Sequence, residues 1–375
     1  MAGGTLGAGV KGRILITGAD GYLGSRVATM LLARGVPVCL WVRAATGEER
    51  ARKTAALSAR LGIAKAEPEV RFGDLSHDSP FAGVDPASIS AIVHAAAVTR
   101  FNVDPVTARA VNVDGAVRLF QFAERCAHLE RLLLLSTIYA SGLAAGPIEE
   151  APLADGGFAN EYERSKWGAE SALMESYGRL PWLTLRVATV LADNPSGEVT
   201  QRNAVHNTLQ LLYYGFLSTL PGSPATPVYL VTGDLAVDSV VAALDRGEPR
   251  RVYHVAHRRE QSLRLGQLVD LAFETFQEDP QFRRKVALKP LYIDRDTFAL
   301  LCEGLSQFGG GAVNQAIESV APFAAQLFID KNVRNENLVS LLGTDPAGDP
   351  AALVRETCRT LLKTRFGRQG DPRAA

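Results

Sequence analysis

Tyr162 and Lys166 stand four residues apart, so on a helix they share one face about one turn from each other. An ammonium beside a phenol favours the phenolate and lowers a pKa that is otherwise about 10. Thr137 closes an apolar run, Leu132 to Leu135 and then Ser136, and offers a hydroxyl that can polarise a carbonyl oxygen. The three side chains together would form an oxyanion site with its own proton donor. A tyrosine and a lysine at this spacing are common in any protein. Their weight here depends on the elements that would bring them beside a source of hydride.

Such a source is written near the start of the chain. Ile14-Leu15-Ile16-Thr17-Gly18-Ala19-Asp20-Gly21-Tyr22-Leu23-Gly24 reads as a buried strand, a tight turn and the opening of a helix. Gly18 permits the sharp turn, Gly21 lets the backbone approach a pyrophosphate, and Gly24 lets helix pack closely on strand. The free amides at the helix start, next to Tyr22 and Leu23, then attract phosphate. The next strand ends on Arg43, and no acid follows until Glu48. An acid there would hold the ribose hydroxyls of NAD, whereas an arginine grips the extra phosphate of NADP, so the expected cofactor is NADPH. Asp74 and Leu75 at the exit of a third strand could support an adenine ring. Ala95-Ala96-Ala97 after a fourth would let sugar and phosphates lie against backbone, and Asn112, inside a helix, faces the sheet near the site. His94, closing a buried strand, reads as a packed, hydrogen-bonded side chain rather than a reactive one.

The elements that must position these residues alternate. Strands are expected at 13–17, 36–42, 70–75, 89–94, 132–135 and 182–190, with helices at 22–34 (closed by Gly35), 48–61, 105–127 and 162 to about 177. That alternation argues an α/β fold, a Rossmann-type doubly wound parallel sheet, with ligands bound at the carboxyl ends of its strands. After residue 190 the pattern loosens. A loop covers 192–203, and an apolar helix at 206–217 places Leu209, Leu212, Tyr213 and Phe216 on one side. Short strands at 228–231 and 252–256 are expected to return to the sheet. From 263 the reading is mainly helical, with a glycine break at 309–311. The expected organisation is a flexible N-terminus (1–12), a dinucleotide-binding domain with the catalytic residues (13–200), a smaller, mainly helical substrate-binding region (201–366) and a flexible tail (367–375).

The 375 residues carry forty basic and forty acidic side chains, and 47% are hydrophobic. A sizeable core is available, and no strong overall field points to nucleic acid. Cys39, Cys126, Cys302 and Cys358 lie far apart without metal-ligand spacing, so no metal is expected. The N-terminus lacks the pattern of a signal peptide, and the longest apolar candidate, 208–220, is too short to cross a bilayer. A soluble, cytoplasmic protein is expected.

The chain resembles the extended short-chain dehydrogenase/reductase superfamily through 17–24, Asn112-Val113-Asp114-Gly115, Ser136-Thr137 and Tyr162-x-x-x-Lys166. Within it, His94-Ala-Ala-Ala-Val-Thr-Arg-Phe101, Ser136-Thr-Ile-Tyr-Ala-Ser-Gly142 with Gly146 and Glu149, and Tyr162-Glu-Arg-Ser-Lys-Trp-Gly-Ala-Glu170 resemble fatty acyl-CoA reductases. They are equally similar to the thioester reductase domains of nonribosomal peptide and polyketide synthases. Arg186 with Asn194-Pro-Ser-Gly197 fits the same branch, and the resemblance thins beyond residue 200. It implies NADPH-dependent reduction of an acyl thioester to an aldehyde, sometimes onward to an alcohol. Thr137 and Tyr162 would then hold the thioester oxygen, Tyr162 would donate the proton, and Lys166 would lower its pKa and bind the nicotinamide ribose. No adenylation or carrier domain is read in the chain, so the thioester is expected on coenzyme A or a separate carrier protein.

Two alternatives stand beside this reading. One is another extended-family dehydrogenase or epimerase acting on a ketone, a sterol or a nucleotide sugar; Arg43 argues against the sugar branch but not against a ketone. The other is a non-catalytic NADP-sensing protein, which Thr137, Tyr162 and Lys166 together disfavour.

Overall fold

A computed structural model describes residues 12–62, 68–285, 287–308 and 320–367. The expected flexible start before residue 12, the glycine break at 309–311 and the tail from 368 lie outside the described residues.

Seven short strands, most of them apolar, form one parallel sheet: β1 (Arg13–Thr17), β2 (Val38–Arg43), β3 (Glu69–Gly73), β4 (Ile89–His94), β5 (Arg131–Thr137), β6 (Trp182–Val187) and β7 (Arg251–Val255). They lie in the order β7-β6-β5-β4-β1-β2-β3. The sheet is covered on both faces, which is why its strands read as continuous apolar runs rather than as alternating ones. Successive side chains still point to opposite faces. Ile14 and Ile16 join one core with Leu133 and Leu135, while Leu15 joins the other with Leu132 and Leu134. The first core is closed by helix α1 (Tyr22–Ala33) and by the helix Gly233–Arg246. The second is closed by α3 (105–123) and α4 (Glu161–Ser176). Between α1 and α3 in the chain, α2 (Gly47–Leu61) is capped by Thr46, whose side chain accepts from the Glu49 amide. The strand order reverses between β1 and β4, and ligands of such sheets bind in the crevice outside that point.

A third core lies beyond the sheet. Leu209, Leu212 and Tyr213 of the helix Ala204–Tyr214 pack with Leu268 and Phe276 of Leu265–Phe276, with Val354 and Leu361 of Pro350–Lys363, and with Phe282 and Phe366. Phe366 reaches this cluster from a left-handed backbone (φ 53°). No helix among the described residues is long and apolar enough to cross a membrane.

Four expected boundaries differ. The strand expected at 182–190 ends at Val187, and Thr189–Ala192 leaves the sheet to pair with Leu230–Thr232. The apolar run continues through the break, so hydrophobicity alone could not mark it. The expected return of 228–231 to the sheet does not occur: Pro227–Val228 pairs instead with Leu263–Arg264, and only 251–255 joins the sheet, at its edge. The helix expected at 206–217 runs from Ala204 to Tyr214, because Gly215 adopts φ 74°, a left-handed stop, and Phe216 is exposed rather than on the buried side. The helix expected at 105–127 ends at Ala123 and is wider through Arg109–Asp114, which forms a π turn.

Candidate active site

The glycine turn sits at the carboxyl end of β1, at the switch point. Gly18 has φ 66°, and a Cβ there would meet the Ala96 backbone at 2.8 Å. A Cβ on Gly24 would strike the Gly18 carbonyl. The turn is correspondingly tight, with the Gly21 N–H held to the Gly18 carbonyl at 2.9 Å and α1 beginning immediately after. Ala95, Ala96 and Ala97 lie against this turn: the Ala95 amide donates to the Thr17 carbonyl and the Ala96 amide to the Thr17 hydroxyl. Backbone can thus face backbone across the crevice with no side chain between, a cradle that fits a pyrophosphate. His94 is buried just behind it, 2.7 Å from the Thr17 hydroxyl, and burial pushes its pKa down to about 3. It is the packed, neutral side chain that the sequence implied.

Arg43 ends β2 with its side chain exposed, and among the described residues it makes no ion pair. Two cations that sequence reasoning passed over stand near the same turn. Lys53 of α2 donates to the Arg43 carbonyl at 2.6 Å and pairs with Asp20 at 2.9 Å, while Arg60 donates to the Asp20 carbonyl at 3.0 Å. Only their shared face on α2, seven residues apart, could have flagged them. Tyr22 turns away from the turn's amides, and its phenol donates to Asp193 at 2.6 Å. Leu23 is half-buried against the first core. Asp74 closes a turn onto the Ser76 amide and hydroxyl, which hold its carboxyl below the usual range against an opposing effect of burial. Leu75 is buried under α3 rather than lining the crevice.

At the carboxyl end of β5, Thr137 caps the short turn Ile138–Ser141 through its hydroxyl. Asn160 caps α4 in the same way, its side chain accepting from the Glu163 amide. This start places Tyr162 in the first turn and Lys166 in the second. Asn112 fixes the helix laterally. Its amide pairs with both backbone groups of Val98 and donates to Ser165 at 2.9 Å, between Tyr162 and Lys166. The π turn that carries Asn112 is a device that recurs at functional sites.

Thr137 lies near enough to Tyr162 to act on its phenol. The expected lowering of the phenol pKa is not what the structure shows. Burial pushes it up, and the hydrogen bond with Thr137 opposes only part of that rise. Lys166 is itself buried, donates to the Leu135 carbonyl at 2.6 Å, and is pushed down to about 8, with Glu170 one turn further opposing the shift.

Two groups of residues around these three were visible only as members of motifs, with no role or pairing read from sequence. Glu170 and Arg186 form a buried bidentate pair, Nη2 to Oε2 at 2.7 Å and Nε to Oε1 at 3.2 Å. Arg186 also donates to the carbonyls of Glu149 and Ala151 and meets His254, so every one of its nitrogens is used. This network pins α4 to β6 and β7. On the open side, Phe101 stacks edge-on to Tyr162 (centroids 5.6 Å) and Tyr139 (6.5 Å), and Phe323, from the far end of the chain, lies 6.0 Å from Phe101. The mouth of the site is therefore aromatic.

Comparison with known proteins bears on this arrangement. The model of the family described as Male sterility protein matches residues 16–240. D-erythronate dehydrogenase of Cupriavidus necator is 24% identical over 244 residues, 62% of this chain and 72% of that protein. Among solved structures, the terminal R domain from the myxalamid PKS-NRPS biosynthetic pathway superposes with a TM-score of 0.74 at 20% identity, covering 97% of this chain and 94% of that one. A thiolation-reductase di-domain from an archaeal non-ribosomal peptide synthetase gives 0.68 at 19% identity, covering 95% and 76%. The Rossmann-type fold and the resemblance drawn from the motifs are borne out.

Proposed function

The chain belongs to the Male sterility protein family, and from that premise we propose that it is an NADPH-dependent reductase of acyl thioesters. The observation that carries the reading is the seating of the Tyr162–Lys166 helix at the carboxyl end of β5, where Thr137 closes the strand and the Lys166 ammonium donates to the Leu135 carbonyl at 2.6 Å, at the same end of the parallel sheet as the glycine turn. The fold and the family support a dinucleotide cofactor, and Arg43, with Lys53 beside it, favours the 2′-phosphate of NADPH. Gly18, Gly21, Gly24 and Ala95 to Ala97 would hold the pyrophosphate and sugars, Asp74 the adenine edge, and Lys166 the nicotinamide ribose. When bound, the cofactor supplies a hydride to the carbonyl carbon.

Thr137 and Tyr162 would hold the thioester oxygen as charge develops on it. The raised phenol keeps its proton at neutral pH and can give it to that oxygen. Collapse of the resulting hemithioacetal breaks the carbon–sulfur bond, the thiol leaves with a proton, and one acyl thioester becomes one aldehyde at the expense of one NADPH. The aromatic mouth formed by Phe101, Tyr139 and Phe323 suits an apolar acyl or peptidyl chain. The thioester would arrive on coenzyme A or on a carrier protein.

The test is NADPH consumption over a panel of medium-to-long acyl groups, offered on coenzyme A and on a carrier protein, with products identified by mass spectrometry. Aldehyde or alcohol appearing with matching NADPH loss supports the reading and gives the electron count. Silence toward every thioester, together with turnover of a free ketone, would replace it with a dehydrogenase of the kind named for the Cupriavidus relative.

A further inference from the structure

We propose that Lys331 and Gln326 are positioning residues that tie the turn after Thr137 to the first turn of the helix carrying Tyr162. The proposal rests on the roles given to those two residues above.

The strand Lys331–Val333 pairs with Gly146–Ile148, which brings the far end of the chain beside the turn that follows β5. Lys331 is buried there, with its ammonium 2.6 Å from the Gly142 carbonyl, 2.9 Å from that of Ala144 and 3.1 Å from the Ser141 hydroxyl. One charge thus gathers three oxygens from four consecutive residues, directly after the turn capped by Thr137. Gln326 donates to the same Gly142 carbonyl at 3.0 Å and to Glu163 at 2.9 Å. Glu163 is fully buried, directly follows Tyr162, and also accepts from the Ala159 amide and the Asn160 side chain. Asn160, the cap of α4, completes the tie by donating to the Pro322 carbonyl. A continuous path runs from Thr137 through Gly142, Gln326 and Glu163 to Tyr162.

A buried ammonium gives up its hydration, and an apolar side chain of similar size would fill the space without that loss. What the charge adds is a directional hold on the carbonyls of Gly142 and Ala144, while the amides of the same turn are already held by Tyr139, Gly157 and Ser141. Gly142 has φ 56° and packs against the Gly157 carbonyl. Burial pushes Lys331 down to about 8 and Glu163 up to about 7, with each charge partly supporting the other. The segment that sets the oxyanion pair is also the one that places Phe323 over the mouth. Closure of the site and alignment of its proton donor would therefore depend on the same few residues.

The experiment compares Lys331→Met and Gln326→Ala with wild type by steady-state turnover, NADPH affinity, and amide hydrogen exchange of residues 138–144 and 159–165. Both variants should lose roughly 10- to 100-fold in kcat, as small misplacements of reacting groups do. NADPH affinity should stay within about twofold, and exchange should quicken in both segments. The double variant should be little worse than the poorer single, since the two side chains act on one path. A purely structural role would instead lower cofactor affinity and thermal stability together while leaving kcat of the folded fraction intact, and that result overturns the proposal. Should Lys331→Met fail to fold, Gln326→Ala decides alone. Should the wild-type protein turn over no thioester, the reading of the site falls. The exchange measurement still judges the tie, and unchanged protection in either segment refutes it.

Discussion

The two walls of the crevice are built in opposite ways. The wall proposed to hold the cofactor comes from two short stretches, 18–24 and 95–97, and works through what is missing: side chains that would block one backbone from another. The opposite wall draws Phe101, Thr137, Tyr162, Phe323, Gln326 and Lys331 from segments scattered over most of the chain, and works through what the side chains are. The first is a local property of a strand, a turn and a helix. The second exists only when the last part of the chain has folded back over the first. A fold assembled this way can keep its cofactor while changing its chemistry, because the two walls share almost no residues.

The largest effect should come from the wall of side chains. Tyr162→Phe removes one hydroxyl and leaves the ring against Phe101, so turnover should fall by about 10³-fold, within the range that general acids contribute. NADPH affinity, measured by fluorescence titration, should be nearly unchanged because the glycine wall is untouched. Turnover within tenfold of wild type would remove Tyr162 as the proton donor.

Arg43→Ala probes the other wall and should do the reverse. Loss of a charged hydrogen bond to phosphate, about 1.5–3 kcal/mol, should weaken NADPH by roughly 10- to 100-fold and leave NADH and kcat alone. Equal loss for both cofactors would mean that Arg43 does not touch the 2′-phosphate. Lys53, held by Asp20 and the Arg43 carbonyl, would then be the residue to change next.

A pH profile probes Lys166, the residue proposed to serve both the cofactor and Tyr162. Burial holds its pKa down to about 8 in the free protein, so the ammonium is present below that value and lost above it. The kcat/KM profile, which reports the free enzyme, should fall by up to tenfold per unit above about pH 8. Lys166→Met should be slower throughout and lack that limb. A wild-type profile flat from pH 6 to 9 would show that the charge on Lys166 is not used.

The same contrast explains what the sequence made legible. The strand–turn–helix, the position of Arg43 and the Tyr162–Lys166 pair are all encoded within windows of about ten residues, where periodicity and spacing speak directly. Most elements up to residue 187 followed from that. Lys331 and Gln326 carried no such signal, because a lysine in a short polar stretch looks like any exposed lysine until a distant turn is seen to enclose it. Glu170 and Arg186 were visible as motif members, but their pairing spans a helix and a strand. The misplaced strand end at Val187 and the misassigned 228–231 share one cause. Apolar runs say that a segment is buried, not which partner buries it. The direction of the Tyr162 shift failed for a related reason: helical spacing counts the lysine one turn away but not the depth of the site.

The smallest effect should lie at the outer end of the aromatic stack. Phe323 touches Phe101, which in turn stacks on Tyr162, so Phe323→Ala leaves the reacting groups in place and removes only the outer ring of the stack. Such ring pairs contribute about 0.5–1.5 kcal/mol beyond the area they bury. An acyl chain that lies against Phe323 should therefore show a KM raised by about 3- to 10-fold, with kcat changed by less than about twofold. The effect should grow with chain length, since a short acyl group ends before it reaches the outer ring. A loss in kcat independent of chain length would place Phe323 with Gln326 and Lys331, as a part of the alignment rather than of the substrate's path. The outer ring is thus the point at which recognition of the chain can be separated from positioning of the proton donor.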